Sequence, residues 1–424
     1  MIRFLCLGLW RDRSRSLFPL LTVVFGVLLT VLMFSWIKGV EDNFLSTGAR
    51  LGSGHLAVMS RAYAAEAEQL PNDLALTGVN GLLERLGREF PALQWTPRIR
   101  FAGLIDIPDE KGETRTQGPV GGMAFDLFSA SSPEPGILNL EPALISGSLP
   151  RKRGEILLSH AFASRLGVAP GDTATLIAGT MYGSMATANF TIVGTFRFGA
   201  PAMDRGTMII DIADARAALD MDDAAGEIVG FFRSGFYDRK TADTEAGRFN
   251  AMYASSPDPF APQMDTLLHL SGMSQMLGWM DAMLGAVVAI FLTTMFIVLW
   301  NTGLMGNIRR YGEIGVRLAL GETKGGVYRS MIGEAAVVGL VGSLIGTALG
   351  LALGYYGQRH GFELESMMRN ASMLMTTRLH TRVTGTAYFI GFIPGLAATV
   401  LGAATAGRAI YKRQTSRLLK ELEA

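Results

Sequence analysis

The sequence predicts a membrane protein, with four transmembrane α-helices and a large mixed α/β extracytoplasmic domain between the first and second spans. Three observations predict it. Charged residues are only 18% of the 424 residues against 49% hydrophobic, below the roughly 25% charged of ordinary soluble domains. Four stretches of about 20 residues are almost free of charge, and as helices each runs roughly 30 Å, the thickness of a hydrocarbon core. Residues 41–275, between the first two stretches, have the composition of a soluble domain. Lysine plus arginine (38) nearly balance aspartate plus glutamate (37), so no nucleic-acid partner is expected.

In chain order, residues 1–17 form a cytoplasmic amphipathic segment and residues 18–40, FPLLTVVFGVLLTVLMFSWIKGV, the first span. This apolar core exceeds the 7–15 residues of a signal peptide, and no small-x-small cleavage site follows it. Cys6 is the single cysteine. It is assigned to packing, and the outer domain is expected to fold without disulfides.

Residues 41–275 are expected to form a periplasmic α/β domain of two subdomains. Strand-like runs occur at Gly54–Met59, Thr96–Ile107, Asn189–Phe196 and Thr207–Asp211. GEILLSHAFASRLGVAPGDTATL, Gly154 to Leu176, is a strand–helix–strand unit with Ser159 as N-cap, Gly167 closing the helix and Pro170-Gly171-Asp172 turning into the next strand. Pro257, Pro259 and Pro262 mark a break before the next helix.

The second span (276–304) includes a stalk-like extension, because its helix pattern begins before the apolar core Met283–Leu304. Met273, Met276, Met280 and Met283 repeat at three- and four-residue spacing and share one helical face. Flexible thioethers there suit a coiled seam, or a surface that accepts acyl chains or a moving partner. A cytoplasmic loop and helix (305–329), the third span (330–356), a short outer loop (357–384), the fourth span (385–406) and a cytoplasmic tail (407–424) complete the chain. Gly342, Gly346, Gly350 and Gly354 stand four apart on the third span and form a face for close helix packing. Glu334 near its start is expected to anchor at interfacial water or Arg329. Pro394 is expected to kink the fourth span.

Positive charge sets orientation. Arg3, Arg11, Arg13 and Arg15 precede the first span, Arg309, Arg310, Arg317, Lys324 and Arg329 lie between the second and third, and Arg408, Lys412, Arg413, Arg417 and Lys420 follow the fourth. Four spans place these segments on one side, expected to be cytoplasmic. The protein is thus expected in the inner membrane with both termini inside.

No catalytic constellation emerges. His55, His160, His269, His360 and His380 show no metal-ligand spacing, and Asp172 and Asp204 have the setting of turn residues. Without a G-x-x-x-x-G-K-[ST] phosphate cradle the chain is not expected to hydrolyse nucleotide or to hold a cofactor; ATP would be bound by a partner.

GEIGVRLALG (Gly312–Gly321), with a basic helix start and a glycine-rich span after it, resembles the signature of the FtsX-like/MacB-type permeases of ABC transporters. One span, a large outer domain and three further spans match that family along the whole chain. SGHLAVMSRAY (53–63), LISGSLPRKRGEILLSHAFASRLGVAPGDTATL (144–176) and IVGTFRFGAPAMDRGTMIID (192–211) are similar to the lipoprotein-releasing permeases LolC and LolE. The resemblance implies that Tyr311, Glu313, Ile314 and Arg317 lie on a coupling helix inserted into an ABC ATPase subunit of the LolD kind. It also implies a second permease, identical or paralogous, membrane lipids, a periplasmic lipoprotein carrier, and extraction of lipoproteins or similar amphiphiles from the membrane. FtsX-like signalling to periplasmic hydrolases, and peptide or macrolide efflux, share the architecture.

Overall fold

The computed structural model describes residues 13–199, 201–270, 273–308, 311–363 and 378–412. Four of its helices are long and apolar enough to cross a membrane, and the mixed α/β domain lies between the first and second of them. The chain divides into two compact units, one holding the four apolar helices and one formed by residues 42–278 with residues 363–378. Arg3, Cys6, Arg11, Arg309, Arg310, Arg413, Arg417 and Lys420 lie outside the described residues.

Helix α1 (Arg13–Leu51) is 39 residues long and outlasts its apolar run, ending at Leu51 among residues of soluble character. The domain that follows is built on one ten-stranded sheet. Its strands are β1 (Leu56–Ser60), β2 (Leu93–Pro108), β3 (Thr114–Phe125), β4 (Leu144–Gly147), β5 (Glu155–Ser159), β6 (Thr173–Gly179), β7 (Met185–Phe196), β8 (Thr207–Asp211), β9 (Glu227–Phe232) and β10 (Pro262–Thr266). The order is β10-β1-β9-β2-β3-β8-β5-β7-β4, and β6 pairs with both β2 and β7. The strands β2, β3, β8, β5, β7 and β6 therefore close into a ring. The 16-residue β2 makes this possible by changing neighbours along its length. Leu93–Arg98 pairs with β9 and Gly103–Asp106 with β6, while β3 joins the other side only from Arg98↔Phe125 onward. Any subdivision of the domain shares this sheet.

The local signals explain most of the elements. Three of the four strand-like runs lie wholly in strands, β2 and β7 being longer than their apolar cores, and of the fourth Leu56–Met59 lies in β1 while Gly54 and His55 precede it. In the strand–helix–strand unit, Gly167 takes the left-handed conformation (φ 66°) after the helix His160–Leu166, a position that favours glycine. Ser159 precedes that helix, but its hydroxyl donates to the Asp204 carbonyl at 2.9 Å instead of capping. Pro262 does not extend the break expected before the next helix; it opens β10, which pairs with β1. Period-2 patterning is faint in PQMDT, so the strand has little signature of its own.

Strand β10 is the outer edge of the sheet, and the edge is closed residue by residue. Pro262 has no N–H to offer. Asn250, on helix α3 (Arg239–Tyr253; α2 being Val79–Glu89), donates to the Met264 carbonyl and accepts the Met264 N–H, both at 2.8 Å. The Thr266 carbonyl accepts from the His269 N–H at 2.9 Å.

Among the spans, α4 (Met273–Ile308) and α6 (Lys324–His360) are continuous, and the short α5 (Tyr311–Ala319) lies between them in sequence. The fourth span is broken into a turn at Ala387–Ile390 and α7 (Phe392–Lys412). Pro394 has no N–H for the Ile390 carbonyl, and the interruption falls at Gly391. Val23, Val27 and Val31 of α1 pack with Met295 and Leu299 of α4 and Ala398 of α7. A Cβ added at Gly342, Gly346 or Gly350 would lie 2.9, 2.9 and 2.8 Å from the Cβ atoms of Val23, Val27 and Val31. Small residues let α1 and α6 approach at backbone distance, the geometry that drives packing in lipid. Near Gly354 the segment His380–Val383 wedges between the same helices. Thr381 donates to the Gly354 carbonyl at 2.6 Å, the Arg382 N–H donates to the Ser35 carbonyl at 2.9 Å, and a Cβ at Gly39 would collide with the His380 carbonyl.

Candidate functional site

The stretch between the second and third spans folds as its punctuation requires. Helix α5 stops where Gly321 adopts φ 93°, with the Gly321 and Glu322 N–H groups donating to the carbonyls of Leu318 and Arg317. The Thr323 hydroxyl accepts from Gly326 N–H at 3.2 Å and caps α6, which begins at Lys324. The arrangement is a nine-residue helix with a sharp exit at its C-terminal end. Arg317 pairs with Glu322 at 3.1 Å, both partly exposed, an interaction worth at most about 1 kcal/mol. Tyr311, Glu313 and Ile314 lie on the helix, and their side chains lie outside the described residues. Sequence reasoning missed Val316 and Leu320, which are 44% and 83% exposed. Their signal was two apolar residues four apart in a basic loop; Val316 lies on α5 and Leu320 one residue past its end.

Met283 is 67% exposed, whereas the side chains of Met273, Met276 and Met280 lie outside the described residues. Beside them in sequence, Phe291 of α4 joins Leu29, Leu32, Met33 and Trp36 of α1 and Thr381 around an apolar cavity of about 390 Å³. Glu334 is half-buried on α6.

In the outer domain the strongest polar construction surrounds Arg98, also missed from sequence. Its guanidinium donates through Nε and Nη2 to the two carboxylate oxygens of Glu134 at 2.7 and 2.9 Å, and through Nη1 to the Gly52 carbonyl at 2.6 Å. Arg98 is 2% exposed and Glu134 0%. Phe125 and Phe231 lie 4.9 and 5.3 Å from the guanidinium carbon, within cation–π range. A cation is thus fixed at the C-terminal end of α1, where the helix dipole favours it. The only hint in sequence is an arginine within the strand run Thr96–Ile107.

His55, at the entry to β1, is 3% exposed and accepts the Phe232 N–H through Nδ1 at 3.0 Å. Burial first, and the charge of Arg50 second, push its pKa from 6.5 down to about 4. Between those values the unfolded chain binds a proton that the fold excludes, so stability falls as pH drops from 6.5 toward 4. The full loss is about 3 kcal/mol. Thermal unfolding of the full chain in detergent at pH 7.5 and pH 5 should show about 2 kcal/mol of this loss, and His55→Phe should flatten the pH dependence. An unchanged slope in the variant would remove His55 as its source.

Asp172 and Asp204 hold turns. Asp172 accepts from Ala169 N–H at 3.1 Å, and Asp204 from the N–H groups of Phe198 and Gly199 at 2.8 and 3.2 Å. Among the described residues no three histidine, cysteine, aspartate or glutamate side chains could share a metal ion.

The model of the MacB-like periplasmic core domain matches residues 16–237, more than half the chain, and that of the FtsX-like permease C-terminal domain matches residues 285–415. No curated protein sequence matches the chain. The solved structure of the periplasmic region of MacB from Actinobacillus actinomycetemcomitans aligns with TM-score 0.33 and 10% identity over 50% of this chain and 88% of that one. Neither matched domain is a nucleotide-binding fold. The chain belongs to the MacB/FtsX-type permeases, multi-pass membrane components of ABC systems.

Proposed function

We propose that this permease moves lipoproteins or chemically similar amphiphiles from the inner membrane toward a periplasmic carrier. The observation that carries the reading is the cavity lined by Leu29, Leu32, Met33, Trp36 and Phe291. An apolar recess built on spanning helices suits an acyl chain, whose burial contributes about 0.8 kcal/mol per methylene. Two permeases, identical or paralogous, stand above two ATPase subunits of the LolD kind, and both termini face the cytoplasm. Helix α5 is the coupling element. Glu313, Ile314, Tyr311 and the Arg317–Glu322 pair meet the ATPase, and Val316 and Leu320 add apolar surface to the same contact. Closure of the ATPases on ATP displaces α5, and with it the spans on either side. The methionine face ending at Met283 adapts to the cargo or to the stalk of the second permease.

Glu313→Lys reverses one charge on α5 and is expected to lower co-purification with the ATPase and nucleotide-stimulated release by tenfold or more. The assay is release of a triacylated lipoprotein from proteoliposomes containing permease and ATPase. Normal assembly and release in the variant would remove the coupling assignment. A complex that hydrolyses ATP but releases no lipoprotein would remove the cargo assignment and leave the coupling intact.

A further inference from the structure

One stretch of sheet is left open in a domain that closes its outer edge with care. Along β2, Leu93–Arg98 has β9 on one side, but β3 reaches the other side only at Arg98↔Phe125. After Phe125 the chain leaves the sheet. Leu127 N–H donates to Asp211 at 3.0 Å, and Asp126 folds the following loop by accepting from Ser129 N–H at 3.1 Å and, through its carbonyl, from the Ser132 hydroxyl at 2.6 Å.

The ladder phase says which groups face the gap. Arg233 N–H donates to the Ala92 carbonyl at 3.0 Å, so Ala92, Gln94 and Thr96 turn their backbone groups toward β9, and Leu93, Trp95 and Pro97 turn theirs away. Leu93 N–H is taken by the Phe90 carbonyl and Pro97 has no N–H. The Trp95 N–H and the carbonyls of Leu93 and Trp95 face the gap, with no strand beside them among the described residues, while the Arg98↔Phe125 pair sets the Pro97 carbonyl opposite the Asp126 N–H.

A cavity of about 290 Å³ occupies this place. It is lined from both faces of the strand, by Leu83 and Gly87 of α2 and by Ser131 and Pro133 of the loop. Such wrapping is possible only where no neighbouring strand stands. Thr96 lines it, is 1% exposed, and its hydroxyl has no hydrogen-bond partner; Trp95 Nε1, also buried, has none either. Leaving such groups unpaired costs about 1–3 kcal/mol each. Asp126 and Arg233 add one charge of each sign.

We propose that this slot receives an extended peptide segment of a partner protein, which adds a short strand beside Leu93–Trp95. The occupant is peptide because the gap presents backbone acceptors around a single N–H at strand spacing, a pattern met by the alternating groups of another extended backbone. The free Thr96 hydroxyl and Trp95 Nε1 supply the remaining hydrogen bonds. The inference stands apart from the cargo and coupling assignments, which concern the spans.

The test uses the full chain in lipid nanodiscs and a displayed library of random heptapeptides. Binders are selected on the wild type and measured by fluorescence anisotropy. Ser131→Trp, at an exposed position on the rim, should fill the slot and weaken selected peptides at least tenfold while leaving thermal unfolding unchanged. N-methylation of alternate peptide amides should weaken them as much. Thr96→Val should weaken binding while stabilising the free protein, since it removes an unpaired hydroxyl. Bound peptide should slow exchange of the Trp95 amide at least tenfold. The proposal is overturned if no selected peptide distinguishes wild type from Ser131→Trp. It is equally overturned if N-methylated peptides bind as well as their parents, or if free amino acids displace the peptides at equal concentration.

Discussion

Glu134→Ala is expected to destabilise the outer domain by about 3–5 kcal/mol, the largest effect of any single side-chain truncation considered for this chain. The loss is not the strength of one ion pair. It is the cost of leaving the Arg98 guanidinium, 2% exposed, without its carboxylate partner. The remaining bond to the Gly52 carbonyl and the flanking Phe125 and Phe231 rings cannot replace two charge-assisted hydrogen bonds. The double variant R98M/E134L removes both charges together and should regain most of that stability, because an apolar pair of similar volume carries no desolvation penalty. Glu322→Ala breaks the partly exposed pair with Arg317 and should change stability by less than about 1 kcal/mol. Chemical denaturation of the full chain in detergent measures all three. A loss below about 1 kcal/mol for Glu134→Ala would mean that water reaches the pair.

Gly346→Leu should disrupt the span bundle by about 3 kcal/mol or more. A Cβ there lies 2.6 Å from the Val24 carbonyl oxygen and 2.9 Å from the Val27 Cβ. The carbonyl belongs to the backbone of α1 and cannot rotate aside, so the two helices must separate. Overpacking a close interface costs about 1–3 kcal/mol even where side chains can yield. Gly385→Ala, whose added Cβ meets nothing within 4 Å, is the control and should be neutral. Thermal unfolding of the full chain distinguishes the two, and equal midpoints for both variants would contradict the close approach of α1 and α6.

The spans were legible because each carries a strong signal of its own: length, absence of charge, and for α6 glycines at one spacing. Helix α5 was legible from its glycines and flanking runs. The sheet was legible only in pieces. Thr96–Ile107 announces a strand, but nothing local says that Leu93–Arg98 and Gly103–Asp106 have different neighbours. Strand β10 escaped notice because its residues are weakly patterned and its pairing with β1 joins segments far apart in sequence. Arg98 and Glu134 were invisible for the same reason, since 36 residues separate them. Val316 and Leu320 could have been found: two apolar residues four apart at the end of α5, they were overlooked beside more conspicuous charges.

The segment carrying His380 presses on α1 at Gly39, well away from the middle of that helix. At 1.5 Å per residue the portion toward Arg13 is roughly 39 Å and the portion toward Leu51 roughly 18 Å. With the His380 carbonyl against Gly39 and the Ser35 carbonyl taken by the Arg382 N–H, a residue without a side chain is what keeps α1 on its course through this clasp.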